Sequence, residues 1–109
     1  MIMDARIQLP KTAKSGEVIS VRIAIRHPME TGFRFGINGR AVPKNVINTL
    51  TVRYNDMEVF RAEMGSGVAA NPMLQFCMVA RASGELLFQW VDDAGVHGEE
   101  RAQLVVGPA

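Results

Sequence analysis

Three features of the sequence predict an all-β fold, an immunoglobulin-like antiparallel β-sandwich of about seven strands. Apolar and polar residues alternate in successive segments, turn residues recur at short intervals, and no stretch of helical length carries an amphipathic pattern. The 109 residues fit one domain, 1–109, long enough to bury a core.

The strands follow in order. Ala5 to Leu9 is a short candidate edge strand closed by Pro10, with a turn at Lys14-Ser15-Gly16. Val18 to Arg26 is the clearest strand, with Ile19, Val21, Ile23 and Ile25 on one face and Ser20, Arg22 and Arg26 on the other. Val46 to Tyr54 alternates again, and Asn55-Asp56 turns it into Met57 to Met64 as a hairpin. Gly65-Ser66-Gly67 and Asn71-Pro72 mark an irregular connection before Met73 to Arg81, whose inner face is Leu74, Phe76, Met78 and Ala80. Ser83-Gly84 leads into Glu85 to Asp92, with Leu86, Phe88 and Trp90 on one side. Asp92-Asp93-Ala94-Gly95 has hairpin chemistry, and Val96 to Val106 supplies the last strand. With no pair of cysteines to pin the layers, packing must hold them. Ile19, Val21, Ile23, Leu50, Val52, Phe76, Phe88 and Trp90 are the expected core, each contributing about 1.5–3 kcal/mol on full burial.

Composition excludes several classes of function. Hydrophobic residues at 48% and charged residues at 21% are ordinary for a folded protein and rule against wholesale disorder. Twelve Lys and Arg against eleven Asp and Glu give a net charge of +1, with the basic residues scattered along the chain. No nucleic-acid partner is expected from such a balance. No segment approaches the roughly 18 consecutive apolar residues of a membrane span. Met1 to Pro10 has no apolar run of the secretory type, so no export signal of its own is expected.

Arg26 to Ile47 resists assignment to a regular element. Pro28 and Pro43 remove amide donors, while Gly32, Gly36 and Gly39 loosen the backbone. Met29, Phe33, Phe35, Ile37 and Val42 are interleaved with Arg26, Glu30, Arg34, Arg40 and Lys44, which is more apolar surface than a solvated linker carries. Long loops in compact domains are usually functional or disordered. The segment is therefore expected to be ordered, to cap the core, to serve as a docking surface, or to do both.

The residues point to binding rather than catalysis. His27, His97 and Cys77 are too few for a closed zinc site and lack ligand spacing. Asp92-Asp93 with its glycine reads as a solvated hairpin tip rather than a metal site. Cys77, inside a strand with no nearby cation run, reads as a buried or half-buried small hydrophobe rather than a nucleophile. Neither Gly36-Ile37-Asn38-Gly39 nor Gly65-Ser66-Gly67 has a phosphate-binding pattern, and Trp90 belongs to the core. No catalytic residue, metal ligand or cofactor is assigned, and no enzymatic activity is expected.

Several segments, in order, resemble the SoxZ family, the small subunit of the SoxYZ carrier of sulfur oxidation. They are His27-Pro28-Met29-Glu30-Thr31-Gly32, Gly39-Arg40-Ala41-Val42-Pro43-Lys44 leading to Ile47, Asn71-Pro72 with Phe76, and Gly84-Glu85 with Phe88, Trp90, Asp92 and Gly95. Pro10 and Ser15-Gly16-Glu17 also fit, whereas Phe33-Arg34-Phe35-Gly36 stands where many relatives are more polar.

The resemblance implies an immunoglobulin-like, non-catalytic subunit of the thiosulfate-oxidation carrier. It would form a heterodimer with SoxY, whose C-terminal glycine-flanked cysteine arm carries the sulfur intermediate. This chain ends Val105-Val106-Gly107-Pro108-Ala109 and is not expected to carry that substrate itself. The resemblance also implies transient contacts with other Sox enzymes and a periplasmic location reached by co-export with a signal-bearing SoxY. His27, Pro28, Met29, Glu30, Thr31, Gly32, Phe33 and Phe35 are the expected partner-binding residues. Without SoxY the same apolar surface would favour a homodimer. Two other readings are a generic immunoglobulin-like interaction module and a redox-metal sandwich of the superoxide-reductase kind. The second needs four histidines and a cysteine around one iron, against two histidines here.

Overall fold

The computed structural model describes residues 4–109, so the first three residues of the stretch read above for a leader lie outside it. The described residues form eight strands: β1 (Ala5–Gln8), β2 (Thr12–Lys14), β3 (Val18–Ile25), β4 (Ile47–Tyr54), β5 (Met57–Glu63), β6 (Met73–Val79), β7 (Gly84–Asp92) and β8 (His97–Gly107). They make two sheets, one of three strands in the order β1-β3-β6 and one of five in the order β2-β8-β7-β4-β5. The all-β sandwich is thus the observed fold.

The added strand is β2. Three residues are too short to show alternation, and the sequence suggested only a turn there. Having left β1 in the small sheet, the chain passes Pro10 and joins the large one, where β2 pairs parallel with β8 through Thr12↔Val105 and Ala13↔Val106. The sandwich is therefore antiparallel except at this edge.

Alternation sets the core. In β3 the odd-numbered Ile19, Val21, Ile23 and Ile25 are buried against Leu50, Val52, Leu86, Phe88 and Trp90 of the large sheet. All eight expected core residues are buried. Phe76 also stacks on the half-buried Phe60, with ring centroids 4.5 Å apart, and so joins β6 to β5 across the two sheets. Trp90 lies over Gly98 so closely that a Cβ there would overlap the indole. Asn55 and Asp56 both have positive φ, 49° and 67°, the backbone of a two-residue hairpin whose twist matches its strands.

Cys77 departs from expectation. It falls on the outward face of β6 opposite Ser20, and it is exposed rather than buried.

The molecule is elongated, with extents of 60 × 19 × 18 Å and a radius of gyration of 16.4 Å, against about 13 Å for a compact domain of this length. The chain between β3 and β4 folds on itself through cross-pairs at Glu30–Asn45 and Phe35–Ala41. It is an ordered arm rather than an irregular coil.

Candidate functional site

The arm begins where β3 ends. His27, the second residue after that strand, is completely buried. Its backbone N–H donates to Asn71 Oδ1 at 3.0 Å, and its carbonyl accepts from the Asn71 N–H at 2.7 Å. The loop before β6 thus fixes the chain at that point. His27 Nδ1 accepts the Met29 N–H at 2.9 Å, which leaves the ring proton on Nε2, 3.1 Å from Asp92 Oδ2. The imidazole is held as one tautomer between two fixed partners.

Asp92 closes the other side. It is the last residue of β7, only 3% exposed, and its Oδ1 accepts the N–H groups of Ala94 (3.0 Å) and Val96 (2.9 Å). Burial is the largest influence on its carboxyl and pushes the pKa up. The hydrogen bonds from Val96, His27 and Ala94 outweigh it, so the group is held below the ordinary aspartate range. Asp92-Asp93-Ala94-Gly95 is therefore a solvated tip only from Asp93 onward. Its first carboxylate is buried and joins the end of β7 to the end of β3, across the two sheets.

Asp93 fastens the returning side of the arm. Its carboxylate accepts from Asn48 Nδ2 at 3.1 Å and from the Val46 N–H at 3.2 Å, and its own N–H donates to the Val46 carbonyl at 3.0 Å. The Asn48 hydrogen bond is the chief cause of its lowered pKa. Met29 adds an apolar anchor. It is 3% exposed and adopts a left-handed backbone at φ 52°, and its Sδ accepts the Ile47 N–H at 3.3 Å. Val46 and Ile47 are completely buried beside it.

Beyond this root the two sides pair. Glu30 and Asn45 exchange backbone hydrogen bonds of 2.9 Å each. The Glu30 carboxylate accepts from Arg34 Nε at 3.2 Å, and this contact holds its pKa down. Ser66 Oγ donates to the Thr31 carbonyl at 3.3 Å. Gly32 takes φ 90° with Lys44 pressed against it, since a Cβ at Gly32 would sit 3.0 Å from Lys44 Cβ. Farther out, the Val42 N–H donates to the Arg34 carbonyl and the Gly36 N–H to the Arg40 carbonyl, both at 2.7 Å. Phe35 and Ala41 face each other, and the Gly36–Gly39 turn closes the tip.

The register sorts the arm into faces. Residues opposed across an antiparallel pair, and residues two apart along a strand, share a face. Phe35 and Ala41 are directly opposed, so Phe33 and Pro43 lie on the same face as they do. All four are exposed, Phe33 at 83% and Phe35 at 70%, and Ile37 stands fully exposed in the turn. A row of apolar side chains with no cover among the described residues is the feature that isolates this arm from ordinary surface.

The expected partner-binding residues thus divide. Phe33 and Phe35 are on the open apolar face, Pro28 is exposed, and Glu30, Thr31 and Gly32 are half-buried at the neck. His27 and Met29 are buried in the root, where they position the arm. Asn71, Asp92, Asp93 and Asn48, which build that root, were not on the list. Their signal was faint: Asn71-Pro72 and Asp92-Asp93 are turn sequences, and turn chemistry does not distinguish a carboxylate facing water from one facing a buried histidine.

A family profile described as "Sulphur oxidation protein SoxZ" matches residues 7–103. The chain belongs to the SoxZ family. Among curated proteins no match was found. Solved structures show the same fold. A superoxide reductase (neelaredoxin) from Ignicoccus hospitalis has TM-score 0.75 and 19% identity, covering 94% of this chain and 80% of that one. The sulfur carrier protein SoxY from Chlorobium limicola f. thiosulfatophilum has TM-score 0.65 and 13% identity, over 94% and 78%. A putative superoxide reductase from Thermotoga maritima has TM-score 0.67 and 18% identity, over 94% and 85%.

The donor set does not fit an iron centre of the superoxide-reductase kind. Among the described residues no group of three or more His, Cys, Asp or Glu side chains is placed to hold a metal ion. Both ring nitrogens of His27 are engaged by Asp92 and Met29, while His97 is exposed at the start of β8 and Cys77 lies on the outer face of the other sheet.

Proposed function

We propose that this SoxZ-family chain is the non-catalytic subunit of a SoxYZ carrier in thiosulfate oxidation, paired with a SoxY-like subunit through the β3–β4 arm. The observation that carries the pairing is the single exposed face made by Phe33, Phe35, Ala41 and Pro43, with Ile37 at its tip. Apolar side chains on a stiff, anchored hairpin bury area against a partner with little ordering cost. The root supplies the stiffness, since His27, Met29, Val46 and Ile47 are part of the core.

In this reading SoxY holds the sulfur intermediate on its terminal cysteine arm, and the present chain shapes and presents that subunit to other Sox enzymes. Cys77 does not stand in for the carrier thiol, because a residue inside β6 has none of the reach of a glycine-flanked tail. The working compartment would be the periplasm, reached together with SoxY. Affinity capture of the tagged chain from its own host grown on thiosulfate, followed by intact-mass analysis, tests the assignment. A stoichiometric partner ending in a glycine-flanked cysteine and bearing extra sulfur mass is expected. Recovery of the chain alone, or with partners lacking such a cysteine, would overturn it.

A further inference from the structure

The two outer faces of the sandwich differ in how their charges are arranged. On the five-stranded sheet, Arg101 reaches Glu85 at 2.7 Å and Glu99 at 3.4 Å, and Arg61 reaches Glu58 at 3.1 Å. On the three-stranded sheet, Arg6 of β1, Arg22 of β3 and Arg26 just past the end of β3 are exposed. Among the described residues none of these three has a carboxylate within ion-pair distance. Arg22 Nη2 donates only to Gln75 Oε1 at 3.2 Å, and Asp4, directly across from Arg26, makes no ion pair with it.

Register brings the three cations together. Arg6 is opposite Ala24, so Arg22 and Arg26 are its two diagonal neighbours, at about 7–8 Å. Met73, opposite Ala24 on the other side, is 60% exposed in the same row. The surface around them is only shallowly indented, by open depressions of about 310, 290 and 210 Å³. No pocket there encloses a small ligand as binding sites do. Flat relief, unpaired arginines and an exposed methionine are instead the composition of a protein contact.

We propose that this outer face, with Arg6, Arg22 and Arg26 around Met73, is a transient docking site for an acidic protein surface. It goes beyond the pairing described above, because Arg6, Arg22 and Met73 lie outside the arm and Arg26 is its first residue, not part of the Phe33–Phe35 face. Size decides that the contact is transient. Three strands about 4.8 Å apart, of four, eight and seven residues, present about 300 Å², less than half of the roughly 800 Å² per partner in a stable complex. Charge then governs encounter rate and selectivity, and salt weakens the contact.

The test uses the full chain labelled with 15N and titrated with decaglutamate at low salt. Amide shifts are expected at Arg6, Gln8, Arg22, Ala24, Arg26, Met73 and Gln75, with affinity falling at least about tenfold by 0.3 M NaCl. An Arg6→Glu, Arg22→Glu variant should lose these shifts, and an Arg6→Gln, Arg22→Gln variant should weaken them, each checked for an intact amide spectrum. An Arg53→Gln, Arg101→Gln variant on the other sheet should retain them. Shifts spread evenly or centred on the five-stranded sheet would overturn the proposal. So would undiminished binding by the Arg6, Arg22 variants, an oligothymidylate binding the same residues more tightly, or sodium sulfate reproducing the shifts at equal ionic strength.

Discussion

His27 Nε2 lies 3.1 Å from Asp92 Oδ2, with both side chains out of solvent, and this one contact joins the end of β3 in the small sheet to the end of β7 in the large one. It is also the root of the arm, because the other nitrogen of the same ring accepts the Met29 N–H. Removing the Asp92 carboxylate leaves the buried His27 Nε2–H without its acceptor, at a cost of about 1–3 kcal/mol. Asp92→Ala is expected to lose that much in urea unfolding, since it also strips the Ala94 and Val96 N–H groups of their acceptor.

Acid should weaken the same root. The Asp92, Asp93 and Glu30 carboxyls are all held below their ordinary pKa values in the folded chain. Between the folded and unfolded values the unfolded chain binds more protons, so stability rises with pH there. The contribution is complete above the unfolded values of about 3.9 for aspartate and about 4.3 for glutamate, and is lost as pH falls through the folded values below them. Urea midpoints measured from pH 7 to pH 3 should show this fall, and Asp92→Asn should make it shallower while lowering stability at pH 7.

Gly32 tests the neck. A Cβ there would be strained by the φ of 90° and pressed against Lys44 Cβ at 3.0 Å. Gly32→Ala is expected to cost about 1–3 kcal/mol, and the matched change Gly39→Ala, at φ 76° but with open space around it, should differ from it by the steric part alone. Thermal unfolding of the two variants measures that difference.

The strands were legible in the sequence because a half-buried sheet imposes period two, and Ile19, Val21, Ile23, Leu50 and Phe88 obey it. β2 was not legible, since three residues at an edge define no period. The arm was legible as an ordered apolar segment that caps the core. Its root caps the core through Met29, Val46 and Ile47, while its outer half leaves Phe33 and Phe35 open. The division between root and tip was hidden, because His27 and Asp92 are 65 residues apart and nothing local reports that they meet. Cys77 misled for a related reason. Alternation placed it on the outer face, and cysteine's usual preference for burial argued the other way; alternation governed.

Phe33→Asp with Phe35→Asp is a cleaner probe of the arm than any change at Met29, which is core. Both phenylalanines are solvent-facing, so stability should stay within about 0.5 kcal/mol of the parent. The most direct measurement is the affinity of this double variant for the SoxY-like subunit proposed as its partner, by calorimetry on purified proteins. At least about a hundredfold loss is expected, as two central aromatic contacts are replaced by charge. A variant that folds normally and binds as tightly as the parent would contradict the arm as the pairing surface.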